Sequence, residues 1–174
     1  MEEPVPFGST EYWLMLGLLA FSRGMDFLST WLATPNLLLE ANPIARRLGW
    51  RWGALFNGVI CLLAAMWPLA AIVISTTSLL VAARNFKSAL LMRALGEDRY
   101  RAWVGELMDQ AGLRTQLICL LGETSLTAIV GAAVIYFGWN HLVLLSIGVG
   151  IVSYAGAVAF YSLLSLWRSR RRIG

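Results

Sequence analysis

Four long runs of apolar residues constrain this chain more than any other feature of its sequence. They cover about residues 12–33, 52–83, 115–139 and 142–167, and each reaches the roughly 20 residues that a helix needs to cross a bilayer. Charged residues make up only 14% of the chain, against about a quarter in a soluble domain. The sequence therefore predicts an all-α integral membrane protein, a bundle of four transmembrane helices in one domain over residues 1–174.

The second run is longer than a bilayer requires and contains Pro68. Because proline lacks a backbone N–H and kinks a helix, we expect one kinked span across this run. Asn42 followed by Pro43 is typical of a helix start. This pair predicts a short interfacial helix ahead of the second span.

The segment of about residues 86–112 separates the second and third spans and carries a periodic apolar stripe. Tyr100, Trp103, Val104 and Leu107 recur at the spacing of one helix face. We therefore expect an amphipathic interfacial helix between spans 2 and 3, on the cytoplasmic surface of the membrane. A docking surface for another protein is the alternative interpretation.

Basic residues determine the predicted orientation. They are most frequent between the second and third spans and in the C-terminal segment WRSRRRIG. Since cytoplasmic loops of membrane proteins are enriched in Lys and Arg, both termini are predicted to be cytoplasmic. Short loops and an acidic N-terminal segment, which argues against a cleaved signal peptide, suit a prokaryotic inner membrane. Basic residues at the ends of apolar runs indicate contact with lipid head groups rather than with nucleic acid.

Ionisable residues inside the runs need an explanation, because each costs about 2.5–3.5 kcal/mol to insert. Arg23 and Asp26 lie in the first run and Glu123 lies in the third. In the predicted orientation Arg23 and Glu123 lie at similar depths, which predicts an intramembrane ion pair between two helices. Pairing of Arg23 with Asp26 along one helix is the alternative.

Further polar residues are expected to converge at the outer ends of the first two spans. They are Asp26, Thr30, Glu40, Asn42 and Asn57. Pro35 allows the intervening segment to reverse over the bundle, so these residues form a candidate polar site for a cation, a proton or a small head group. Arg84 and Asn85 mark the inner end of the second span. A buried network that only fixes helix register is the alternative.

Small residues recur four positions apart in the third and fourth runs. Thr127 with Gly131, and Ser146 with Gly150, are two such pairs. Because small side chains let helix backbones approach closely in lipid, these pairs predict tight packing of the third span on the fourth. Association of two copies of the chain is the alternative.

The sequence excludes several kinds of site. His141 is the only histidine, which excludes metal sites built from several histidines and haem held by two. No phosphate-binding glycine loop and no dinucleotide-binding fingerprint is present. We therefore predict no metal and no cofactor.

The segment MDFLSTWLA followed by LEANPIARRL resembles the signature of an uncharacterised family of small prokaryotic integral membrane proteins. That signature pairs an Asp-x-x-Ser/Thr-Thr motif at the end of one span with Glu-x-Asn-Pro before the next. The matching residues here are Asp26, Ser29, Thr30, Glu40, Asn42 and Pro43. The resemblance covers the first third of the chain. It implies that these residues belong together, and it implies no activity.

Two classes of function remain open. Small size and the lack of a catalytic motif favour a non-enzymatic accessory or assembly subunit of a membrane complex, whose partners are the lipid bilayer and other membrane subunits or a second copy of the chain. The alternative is a small transporter or intramembrane enzyme with an outward-facing site formed by Asp26, Glu40 and Asn42. Whether the protein is an enzyme is left open by the sequence.

Overall fold

The computed structural model describes residues 3–40 and 42–170 of the chain. These residues form five helices, and the described chain is all-α, as the sequence predicts. The helices are α1 (Thr10–Ala33), α2 (Pro43–Ala64), α3 (Pro68–Leu95), α4 (Glu97–Phe137) and α5 (Leu142–Arg170).

The predicted kinked span over residues 52–83 is wrong, because the chain reverses direction within it. Helix α2 ends at Ala64, and a turn follows in which the Met66 and Trp67 amides bond back to carbonyls of α2 at 3.2 and 3.0 Å. Pro68 is then the first residue of α3. Its fixed φ and missing N–H are well tolerated at that position, so the proline starts a new helix instead of kinking an old one.

Three helices within the described residues are long and apolar enough to cross a membrane: Pro68–Leu95, Glu97–Phe137 and Leu142–Trp167. The predicted bundle of four transmembrane helices with an added interfacial helix is therefore wrong. Arg23 and Asp26 lower the hydropathy of α1, and the arginines at 46, 47 and 51 lower that of α2. The three apolar helices remain consistent with a membrane protein.

Both predicted interfacial segments belong to longer helices that are interrupted at a glycine outside the helical φ/ψ region. The segment after Asn42 is the start of α2, which bends where Gly49 leaves the helical region (φ 66°). The segment 86–112 divides between two helices, because α3 continues to Leu95 and α4 begins after Gly96 (φ 79°). Helix α4 bends at Gly112 (φ 69°, ψ 158°) and then continues into the apolar part of the chain.

Helices α1 and α3 lie side by side and run in the same direction. The Val5 amide donates to the Met66 carbonyl at 2.8 Å near their starts. Asn85 Nδ2 donates to Thr30 Oγ1 at 3.1 Å near the end of α1. Helix α2 runs the opposite way, so that Tyr12 Oη reaches the Leu62 carbonyl at 3.2 Å. Tyr12 and Leu19 are fully buried in the core at this end.

Helix α5 packs against both α4 and α3. A Cβ placed on Gly131 or Gly148 would lie within about 3 Å of the other glycine's carbonyl oxygen, so α4 and α5 approach closely there. Thr77 of α3 donates through Oγ1 to the Gly150 carbonyl at 3.1 Å. Tight packing of α4 on α5 agrees with the small residues of the last two runs.

The two ends of the bundle differ in charge. One end brings together residues 3–9, the turn at 65–67 and the turn at 138–141; the segments that lead to it, 3–22, 52–83 and 115–167, contain no Lys or Arg. The other end, here called the basic end, carries the loop 34–40, the start of α2, and the junction of α3 with α4. Arg93 lies over the Trp31 ring there, 5.5 Å from its centroid.

Candidate functional site

A cavity of about 860 Å³ extends from the basic end into the bundle. The residues of the predicted polar site, the predicted ion pair and the predicted inner end of the second span all lie on its wall: Arg23, Asp26, Thr30, Glu40, Asn42, Asn57, Arg84, Asn85 and Glu123. They come from α1, the loop 34–40, α2 with its N-cap Asn42, α3 and α4. Their use by a ligand stays a prediction.

Arg23 is the centre of a polar network between three helices. Its Nη1 lies 3.0 Å from Asp26 Oδ2 and 3.0 Å from Ser78 Oγ. Its Nε donates to Asn57 Oδ1 at 2.7 Å, and Nη2 donates to the same oxygen. The side chains of Arg23 and Asp26 are only 26% and 17% exposed, so burial of each charge is offset by the other.

The predicted pair between Arg23 and Glu123 is therefore not the one that forms. Glu123 pairs with Arg84 instead, with Arg84 Nη1 3.2 Å from Glu123 Oε1. Both side chains are about half exposed, at 42% and 50%. The alternative pairing of Arg23 with Asp26, three residues along the same helix, is the one observed.

Asn85 joins α3 to the polar face of α1. Its Nδ2 donates to Thr30 Oγ1 at 3.1 Å and lies 3.4 Å from Ser29 Oγ. Arg84 and Asn85 are predicted from the sequence to lie at the opposite membrane face from the candidate site. Because the chain reverses at Pro68, α3 returns toward the basic end and both residues reach the same cavity.

Glu40 stands apart from these pairs. Its Oε1 accepts a hydrogen bond from the Asn42 amide at 2.8 Å, and Asn42 Oδ1 in turn accepts from the Ile44 amide at 3.0 Å, which caps α2. Within the described residues Glu40 forms no ion pair. Its carboxylate is therefore available to a charged group that enters the cavity.

Glu97, which was not among the residues predicted from the sequence, holds this loop in place. Its two carboxylate oxygens accept hydrogen bonds from the Asn36 and Leu38 amides, at 2.8 and 3.1 Å. Leu37, between them, has φ 56°, a conformation that is costly for a leucine. Arg101 also donates to the Leu38 carbonyl. Glu97 reads in the sequence only as an acidic residue at a helix start, so no local signal indicates this role.

The remainder of the cavity wall is apolar and aromatic. Phe27 and Trp50 meet edge to face with ring centroids 6.0 Å apart, and Trp50 Nε1 donates to the Pro35 carbonyl at 2.9 Å. Tyr154 and Tyr161 line the wall from α5. The cavity thus offers a polar region and an apolar region to one occupant.

Comparison of the chain with models of protein families, with curated proteins and with solved structures gave no match. The site must therefore be interpreted from its own geometry. Among the described residues, no three His, Cys, Asp or Glu side chains are grouped so that they could hold a metal ion. The chemical means that the cavity does offer are ion pairs, amide and hydroxyl hydrogen bonds, and aromatic faces.

Proposed function

We propose that this protein binds an amphiphilic small molecule within the membrane, as a small transporter or an intramembrane binding protein. The observation that carries the proposal is a cavity of about 860 Å³ with both a polar and an apolar wall. That volume lies in the range of about 300–1,000 Å³ typical of small-molecule sites. An occupant with a polar head and an apolar body would satisfy both walls at once.

The polar network supports this proposal. Buried ionisable residues in membrane proteins typically pair with one another and line substrate or ion pathways. Arg23 and Asp26 follow this pattern, since they pair at 3.0 Å and both line the cavity. A network that served only to fix helix register would not need a space of this size beside it.

We further propose that the basic end faces the cytoplasm of a prokaryotic inner membrane. The clustering of Lys and Arg at that end supports this orientation. The cavity would then open toward the cytoplasm rather than outward. Residues 3–9 would lie outside the cell, so this orientation differs from the predicted cytoplasmic placement of both termini.

The orientation is tested by labelling with a thiol reagent. With Cys61 and Cys119 replaced by Ser, an impermeant maleimide applied to intact cells should label Phe7→Cys but not Arg99→Cys. Labelling of Arg99→Cys alone would refute the orientation.

The binding proposal is tested by filling the cavity. Ala157 of α5 lines it, so Ala157→Trp should exclude an occupant. Ala132 of α4 is exposed on the outside of the bundle, and Ala132→Trp is the matched control. Native mass spectrometry after gentle extraction should show a bound amphiphile in the parent protein and in the control, and its loss in Ala157→Trp. An adduct that persists in Ala157→Trp, or no adduct in any form, would refute the proposal.

An accessory or assembly subunit is the second candidate function. Trp103 and Leu107, in the part of α4 before Gly112, are 39% and 43% exposed, and exposed aromatic residues are frequent at protein interfaces. The same native mass spectra distinguish this function, because it predicts a defined complex with other polypeptides that Trp103→Gln weakens. A parent protein that carries only small-molecule adducts would rule this candidate out.

A further inference from the structure

We infer that the occupant of the cavity carries a positively charged head group and that Glu40 selects it. This inference rests on the proposed function, because it names the class of molecule that the cavity takes. Three features favour a cation: the charges of the residues that line the cavity, the hydrogen bonds that position Glu40, and the aromatic rings near the loop 34–40.

The charges on the cavity wall do not balance. Two arginines and three carboxylates line it, which leaves one net negative charge. Arg23 is paired with Asp26 at 3.0 Å, and Arg84 is paired with Glu123 at 3.2 Å. The excess charge therefore belongs to Glu40. Among the groups that line the cavity, a cation would compensate the one carboxylate that has no basic partner among the described residues.

The position of Glu40 is fixed although its charge is not compensated. Its Oε1 is bonded to the Asn42 amide, and within the described residues no donor bonds to Oε2. The loop that carries it is held by Glu97 through the Asn36 and Leu38 amides. A carboxylate that is already positioned loses little entropy when it binds a cation, which is the advantage of a preorganised site.

Aromatic side chains give a second attraction for a cation. Trp50 lines the cavity and is tied by its indole N–H to the same loop, at Pro35. Phe27 meets its ring at 6.0 Å, and Tyr154 and Tyr161 line the wall from α5. The faces of aromatic rings attract ammonium and related cations, most strongly where water is excluded. The expected occupant is an organic cation with an apolar body, such as a lipid-like or hydrophobic ammonium compound.

The test uses two probes of nearly equal size and shape and opposite charge, tetraphenylphosphonium and tetraphenylborate. Their binding to the protein in nanodiscs of zwitterionic lipid is measured by equilibrium dialysis, with empty nanodiscs subtracted. We expect the phosphonium to bind at least about tenfold more tightly than the borate. Glu40→Gln keeps an Oε1 acceptor for the Asn42 amide and removes the charge, so it should weaken phosphonium binding about tenfold or more. Glu11→Gln, which changes an exposed carboxylate at the opposite end, should have no effect.

The outcomes separate this inference from the proposed function. If both probes bind equally well and both are lost in Ala157→Trp, the cavity binds amphiphiles but does not select cations, and the inference fails alone. If phosphonium binding survives in Glu40→Gln at full strength, Glu40 is not the selecting residue. If neither probe binds above the empty nanodiscs, cation selection is refuted, and the retained amphiphile of the Ala157→Trp experiment decides the proposed function by itself. A thermal melt of each variant shows that it remains folded.

Discussion

The contact between α4 and α5 gives the sharpest prediction about stability. A Cβ added at Gly148 would lie 2.9 Å from the Gly131 carbonyl oxygen and 2.9 Å from the Ile135 amide nitrogen. Both are backbone atoms, so Gly148→Ala forces the two helices apart by about 0.5 Å. A gap of that size forfeits about a quarter of the dispersion energy of each affected contact. Overpacking of this kind costs about 1–3 kcal/mol.

Gly156 on the same helix supplies the control, because a Cβ there meets nothing within 4 Å. Gly156→Ala should stabilise the helix by about 0.5–1 kcal/mol through its higher helix propensity. The free energies of unfolding of the two variants should therefore differ by about 1.5–4 kcal/mol. Titration of the detergent-solubilised protein with dodecyl sulfate, followed by circular dichroism, measures this difference. Equal unfolding midpoints for Gly148→Ala and Gly156→Ala would refute the close approach of α4 and α5.

Two further predictions concern the part of α4 from Glu97 to Gly112. Glu97→Ala should cost about 2–4 kcal/mol of unfolding free energy, because the Asn36 and Leu38 amides both lose a charged acceptor that is itself buried; Glu106→Ala, at an exposed site of the same helix, should be near neutral. Faster amide exchange in the loop 34–40 would accompany the first change, and unchanged exchange there would contradict it. Gly112→Ala should cost about 1–3 kcal/mol, because φ 69° with ψ 158° strains any residue with a side chain. Gly105→Ala, with open space around it, is the control, and equal thermal midpoints would contradict the strain argument.

The residues of the candidate site were predictable from the sequence because polar side chains cost free energy in the hydrocarbon of a membrane. A charged or amide side chain within an apolar run is costly in lipid and is expected to face other helices or a polar space between them, although the paired Arg84 and Glu123 remain about half exposed. Arg23, Asp26 and Thr30 fall on one helix face by spacing alone. In a bundle of so few helices, polar side chains that avoid lipid have little space to occupy. The residues of the candidate site therefore line the same cavity.

The path of the chain was not predictable in the same way, because Pro68 is compatible with two outcomes. A proline can kink a continuing helix or begin a new one, and the residues around it do not distinguish the two. The choice depends on packing, since the Val5 amide bonds to the Met66 carbonyl of the turn. Once the chain reverses there, Asn85 moves from the far end of a span to the level of Thr30, and Arg84 becomes the partner of Glu123. The wrong predicted depth of Asn85 and the wrong predicted partner of Glu123 therefore share one cause, the reversal of the chain at Pro68.

The loop 34–40 shows how the fold and the candidate site depend on each other. Leu37 adopts φ 56°, which costs about 1–3 kcal/mol and persists only where surrounding contacts impose it. Glu97 imposes it by bonding the amides on either side, across about 60 residues of sequence. Since Glu40 lies three residues beyond Leu37, the first residue of α4 determines where the unpaired carboxylate stands in the cavity. Gly96 and Gly112, both at positive φ, let the segment between them take the direction that this contact requires.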